Sequence, residues 1–186
     1  MSGCRTVGRT HPEPIDSFVS VVRPAVRWPY NFHPRCPMVL FGKSLSEYTR
    51  FQSVLLIVTA AVGIVRLALS MFGAPDSFVT WFSMTGLLLV GAVYHPIRVQ
   101  LSGFGGYKQV LILIGTQVLV SQLITAVGIF AAPLTGIDNI YSAAGADAGQ
   151  LGHAAVHIGI WPIMSLFLWI PASLILLIAR RVLRST

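Results

Sequence analysis

The sequence predicts an all-α integral membrane protein, a four-transmembrane-helix bundle with both termini cytoplasmic and a disordered, basic, Pro-rich arm at its N-terminus. Three observations carry this. Hydrophobic residues make up 54 % of the 186 and charged residues only 10 %, and the mean hydropathy is +0.74, well outside the range of soluble domains. The apolar residues fall into four blocks, each about 20 residues long, the length that crosses a hydrocarbon core about 30 Å thick. The cations flank these blocks on one side only, as the charge bias of cytoplasmic loops requires.

In chain order, residues 1–42 read as the arm. As far as residue 37 it is polar and basic, punctuated by Pro12, Pro14, Pro24, Pro29 and Pro34, with no periodic apolar face to offset chain entropy. Its one apolar run, SFVSVV from Ser17 to Val22, is too short for a signal peptide and runs into Arg23 and Pro24. Met38 opens MVLFGKSLSEYTRF and reads as an alternative start, which would make residues 1–37 a misassigned extension. Cys4 and Cys36 both belong to the arm, on the reducing side, so no structural disulfide is expected.

Residues 43–186 read as the transmembrane domain. Ser44 and Glu47 have the S-x-x-E spacing of a capping box, which predicts a short interfacial turn before the first span. That span covers about 53–72, and GAPDSF then supplies a turn with Asp76 or Ser77 as the N-cap of the second, about 78–94. Pro96 is expected to end the second helix, and the Gly-rich stretch after it to form a turn. Gly103 to Gly106 lacks the preceding strand and the G-K-[ST] ending of a phosphate loop. The third span covers about 110–132 and the fourth about 156–178, where Pro162 and Pro171 predict bends that free carbonyls near Ile158 and Phe167. With no water at that depth to satisfy backbone groups, such blocks imply helices.

Orientation follows from Arg5, Arg9, Arg23, Arg27, Arg35, Lys43 and Arg50 before the first span, Arg98 and Lys108 between the second and third, and Arg180, Arg181 and Arg184 after the fourth. The other two loops hold Asp76, Asp138 and Asp147 and no cation. The net charge of +7 is accounted for by topogenesis and anionic lipid headgroups, so no nucleic-acid partner is expected. The expected location is a bacterial cytoplasmic (inner) membrane. The expected partners are the lipid bilayer and a membrane protein or further copies of this chain.

Function falls to the few polar residues inside the spans. Arg66 lies about 21 Å along the first helix at 1.5 Å per residue, in the outer half, and an intramembrane arginine costs on the order of 3 kcal/mol at mid-bilayer. Its alternative is to snorkel outward to lipid phosphates. Thr59, Gly63, Arg66 and Ser70 share one small, polar helix face suited to packing against another helix. The third span carries a matching stripe of Gln117, Ser121, Thr125 and Gly128, with Gln122 beside it. Gln122 and Thr125 are the expected partners of Arg66. No Asp or Glu lies within a span, so the counter-charge must come from Asp76, Asp138, Asp147, a lipid, an anionic ligand or another subunit.

His153 and His157 are one turn apart and share a side if the fourth helix has begun by Gly152. The pair is competent for one Zn or Cu ion, with Asp138, Asp147, Tyr141 and Met164 as possible further ligands. A bis-His haem with His95 is excluded, because His95 is expected at the cytoplasmic end of the second helix; a five-coordinate haem with Arg66 on a propionate is compatible. The simplest alternative is a pair of interfacial histidines, so no cofactor is assured. Trp81, Trp161, Trp169, Tyr94, Tyr107 and Tyr141 fall near expected helix ends and read as an aromatic belt. No catalytic constellation is present. Three functions follow: an accessory or structural subunit of a larger membrane complex, a metal- or haem-binding redox component using His153 and His157, and a small oligomeric transporter or channel lined by Arg66 and the glutamine stripe.

Overall fold

Ser44 caps the first helix as the capping box requires. Its hydroxyl accepts from the Glu47 backbone N–H at 3.3 Å, and the Glu47 carboxylate accepts from the Ser44 N–H at 2.7 Å. The computed structural model describes residues 38–142 and 149–183. Residues 1–37 of the arm and Asp147 lie outside them, while residues 38–42, expected to be disordered with the rest of the arm, are ordered. Immediately before the cap, β1 (Val39–Leu40) pairs antiparallel with β2 (Lys43–Ser44), a hairpin that the sequence reading does not contain. Tyr48, buried on α1 (Leu45–Phe51), donates its hydroxyl to the Leu40 carbonyl at 3.0 Å and ties the hairpin down.

Four helices are long and apolar enough to cross a membrane. The first, α2 (Ser53–Met71), matches its expected span within a residue. The second differs. Asp76 opens only a four-residue helix, α3 (Asp76–Val79), and the long helix α4 (Met84–Ser102) is capped by Ser83, whose hydroxyl accepts from the Gly86 N–H at 3.1 Å. Nor does Pro96 end it. The proline removes one backbone bond, but stopping there would strand a full set of carbonyls where no water replaces them. The helix runs on to Gly103, whose φ of 64° supplies the left-handed stop while its N–H donates to the Val99 carbonyl. His95 is therefore not at a helix end: it is wholly buried inside α4.

α5 (Tyr107–Thr135) and α6 (Gln150–Val182) both run longer than expected and carry Pro133, Pro162 and Pro171 inside. α5 packs against α2, α4 and α6 and is the most buried of the four spans. Two tryptophans expected in an interfacial belt instead join α6 to α5. Trp161 Nε1 donates to the Gly115 carbonyl at 2.6 Å and Trp169 Nε1 to the Tyr107 carbonyl at 2.9 Å. Phe51 stacks on Phe104 with centroids 4.1 Å apart, and Arg180 reaches Gln100 at 3.3 Å. The hairpin, the α4–α5 turn and the C-terminal end of α6 thus lie at one end of the bundle, with Lys43, Arg98, Lys108 and Arg180. We refer to it as the basic end.

Candidate functional site

A row of polar side chains runs through the otherwise apolar interior of the bundle. Thr59, Gln117, Ser121 and Thr125 are all buried, where each polar group needs a partner. Gln117 finds two across the helix interfaces. Its Nε2 donates to the Leu87 carbonyl of α4 at 3.0 Å and to the Thr59 hydroxyl of α2 at 3.3 Å. This amide links three helices, and the close approach of α4 that permits it occurs at Gly91, where any Cβ would overlap the Gln117 carboxamide.

Beyond Gln117, away from the basic end, the four spans border a half-open cavity of about 280 Å³. Arg66 of α2, Ser121, Gln122 and Thr125 of α5, and His153 and His157 of α6 all line it, with Met84 of α4 and Tyr141 of the α5–α6 loop. The arginine and the histidine pair, joined in the sequence only by the haem alternative, therefore share one site. Gln117 lies outside it. The condition set for the histidines is met, because α6 has begun by Gln150.

The expected partnership of Arg66 with Gln122 and Thr125 does not form. Gln122 Oε1 faces His157 Nδ1 at 2.9 Å, and the Thr125 hydroxyl returns to the Ser121 carbonyl of its own helix at 3.2 Å. Tyr141 takes their place, its ring centroid 5.3 Å from the Arg66 guanidinium carbon and its hydroxyl donating to Met84 Sδ at 3.3 Å. Such a cation–π contact contributes about 0.5–2 kcal/mol. Burial pushes the Tyr141 phenol up, and the Arg66 charge beside it draws it partly back.

Tyr141 is held by a turn that the sequence reading missed. Asn139 Oδ1 accepts from the Tyr141 N–H at 2.9 Å, its Nδ2 donates to the Gly128 carbonyl at 2.8 Å, and its own N–H donates to the Ser142 hydroxyl at 3.0 Å. Asn and Ser at that spacing are a turn signature, and they could have drawn attention to the tyrosine between them. Ser70 accepts from the Ile140 N–H at 2.7 Å and fastens the same turn to α2.

Among the described residues the single ion pair is Lys43–Glu47, 3.4 Å apart and far from this cavity. Neither Asp76 nor Asp138 pairs with Arg66, and the Asp138 carboxylate instead accepts from Ser142 at 3.4 Å. Among the described residues Arg66 Nε is buried without a hydrogen-bond partner, as is His153 Nδ1. Deeper toward the basic end, both ring nitrogens of His95 and both amide atoms of Gln52 are likewise buried without partners. His95 does not line the cavity.

No protein family, no curated protein and no solved structure matches this chain.

Proposed function

We propose that this chain is a membrane-embedded binding protein that takes the anionic group of a small molecule into the cavity beside Arg66. One observation carries the reading: an intramembrane guanidinium lines a polar cavity to which no described carboxylate contributes. A bound carboxylate or phosphate would recover the cost of desolvating that charge through charge-assisted hydrogen bonds. Gln122, Tyr141 and the two imidazoles supply further polar groups around it. At about 280 Å³ the cavity lies near the small end of ligand pockets, about 300–1,000 Å³, which favours a small acid over a haem. By the charge rule the basic end is cytoplasmic, so the cavity belongs to the outer half of the membrane.

The test is thermal unfolding of the EDTA-treated, detergent-purified protein against benzoate, succinate and glycerol phosphate. A ligand at a hundred times its dissociation constant stabilises by about 2.7 kcal/mol. We expect at least one anion to raise the midpoint and Arg66→Gln to remove the rise. An equal response from Arg66→Gln, or none from any anion, would refute the reading. Flux of the bound anion into proteoliposomes separates binding alone from a transporter.

An accessory role in a larger complex is the second reading, and α2 favours it. This helix is the least buried of the four spans and exposes Val54, Ile57, Ile64 and Val65 along its length, a face long enough for a neighbour's helix. A photo-crosslinker at Ile57 in native membranes should then yield one discrete protein adduct. Lipid adducts alone would discard this role.

A further inference from the structure

We propose that His153 and His157 form a chelating pair for a borderline transition-metal ion, Zn²⁺ or Cu²⁺, whose remaining coordination positions open onto the Arg66 cavity. The pair stands one turn apart near the start of α6, so both side chains leave the same helix face. Their Nε2 atoms are 3.2 Å apart. Two imidazole nitrogens bound to one tetrahedral ion at about 2.0–2.1 Å lie about 3.3 Å from each other. The ring centroids are 4.9 Å apart, closer than a head-on N–H···N contact at this nitrogen separation would place them. The ring axes are therefore inclined to the line between the nitrogens, as chelation requires.

Gln122 sets the tautomer. Its Oε1 lies 2.9 Å from His157 Nδ1, and a carbonyl oxygen only accepts, so Nδ1 carries the proton and Nε2 keeps its lone pair. A metal-bound histidine needs this tautomer, and the bond behind the ring is the outer-shell support that raises its basicity. His153 Nδ1 has no such partner among the described residues, and with His157 Nε2 accepting, the proton of their contact sits on His153 Nε2; a metal would have to displace it, which makes His153 the weaker ligand of the two.

Among the described residues no group of three His, Cys, Asp or Glu gathers. The ion would thus take two nitrogens from the protein and leave the other two positions of a tetrahedron to exchangeable ligands. Arg66 in the same cavity repels a bare dication, and an anion held between the guanidinium and the metal removes that repulsion. The chelate rests on the imidazole geometry alone; its completion by an anion rests on the proposed function above.

The experiment is Co²⁺ titration of the EDTA-stripped, detergent-purified full chain, followed by its visible absorption and competed with Zn²⁺. We expect one equivalent to bind, His153→Ala and His157→Ala each to abolish the band, and Gln122→Leu to weaken binding about 10–100-fold. Size-exclusion elution and helical circular dichroism establish that each variant is folded, and His157→Asn repeats the test with a polar residue retained. Benzoate should tighten Co²⁺ binding in the wild type and not in Arg66→Gln. Absence of a band, or a band indifferent to both histidine substitutions, overturns the chelate; a band that benzoate leaves unchanged overturns the anionic co-ligand. Stabilisation of the metal-stripped protein by benzoate reports on the anion site separately, so either failure is assigned to its own claim.

Discussion

Gly91→Ala tests whether the Gln117 amide organises the bundle. Gly91 is buried on α4, and a Cβ added there would overlap Gln117 Oε1 and come within 2.8 Å of its Cδ. Neither group has room to yield, because Gln117 is 1 % exposed and held at 3.0 Å by the Leu87 carbonyl and at 3.3 Å by the Thr59 hydroxyl. Overpacking a close interface costs about 1–3 kcal/mol. The two interhelical hydrogen bonds, at about 0.6 kcal/mol each on average in a membrane, add roughly one more. We therefore expect a loss of about 2–4 kcal/mol, measured by unfolding in mixed micelles with increasing SDS. Gly159→Ala on α6 is the control. Its Cβ would meet nothing within 4 Å, so it should be neutral or stabilise by up to about 1 kcal/mol through helix propensity. In the double variant Gly91→Ala, Gln117→Ala the overlap disappears, and the two costs should fall short of additivity by more than about 0.5 kcal/mol. A Gly91→Ala protein as stable as wild type, or fully additive costs, would sink the idea that this amide sets the α4–α5 distance.

Three further outcomes are expected. Ser83→Ala should destabilise by about 0.5–2 kcal/mol, the usual worth of an N-cap, while Ser77→Ala in the preceding short helix should be near neutral; thermal unfolding of the pair checks which residue caps the second span. The Ser44 backbone N–H, more than its hydroxyl, holds the Glu47 carboxyl below its ordinary range. A depressed folded-state value contributes stability that is present above the unfolded value and lost as pH falls through the folded one. Ser44→Ala keeps the backbone N–H and removes the hydroxyl, so it should raise the Glu47 titration midpoint in part when followed by NMR, and no rise would reject the hydroxyl's share of the hold. Burial raises the Tyr141 phenol and Arg66 opposes the rise, so Arg66→Gln should push it higher still. The difference in ultraviolet titration against Tyr141→Phe reads this directly, and a fall would mean that the guanidinium is not beside the ring.

The spans were legible in the sequence because membrane burial acts residue by residue. An apolar block of the right length must be helical wherever it packs, and so α2 lies within a residue of its expected bounds. Helix ends were less legible. Whether Pro96 stops α4 depends on the carbonyls it would strand, and whether Asp76 or Ser83 caps that helix depends on how the chain turns, which composition does not encode. The polar stripe on α5 and the shared face on α2 were readable from 3.6-residue periodicity, as was the one-turn spacing of His153 and His157. Their gathering was not. Helical period states which residues share a face of one helix and says nothing about the rotation of that helix against its neighbours. Packing of α5 against the other three spans brings Arg66, Gln122 and the histidines to one cavity, gives Gln122 to His157 rather than to the arginine, and sets Tyr141, read from the sequence as an interfacial aromatic or a metal ligand, beside Arg66.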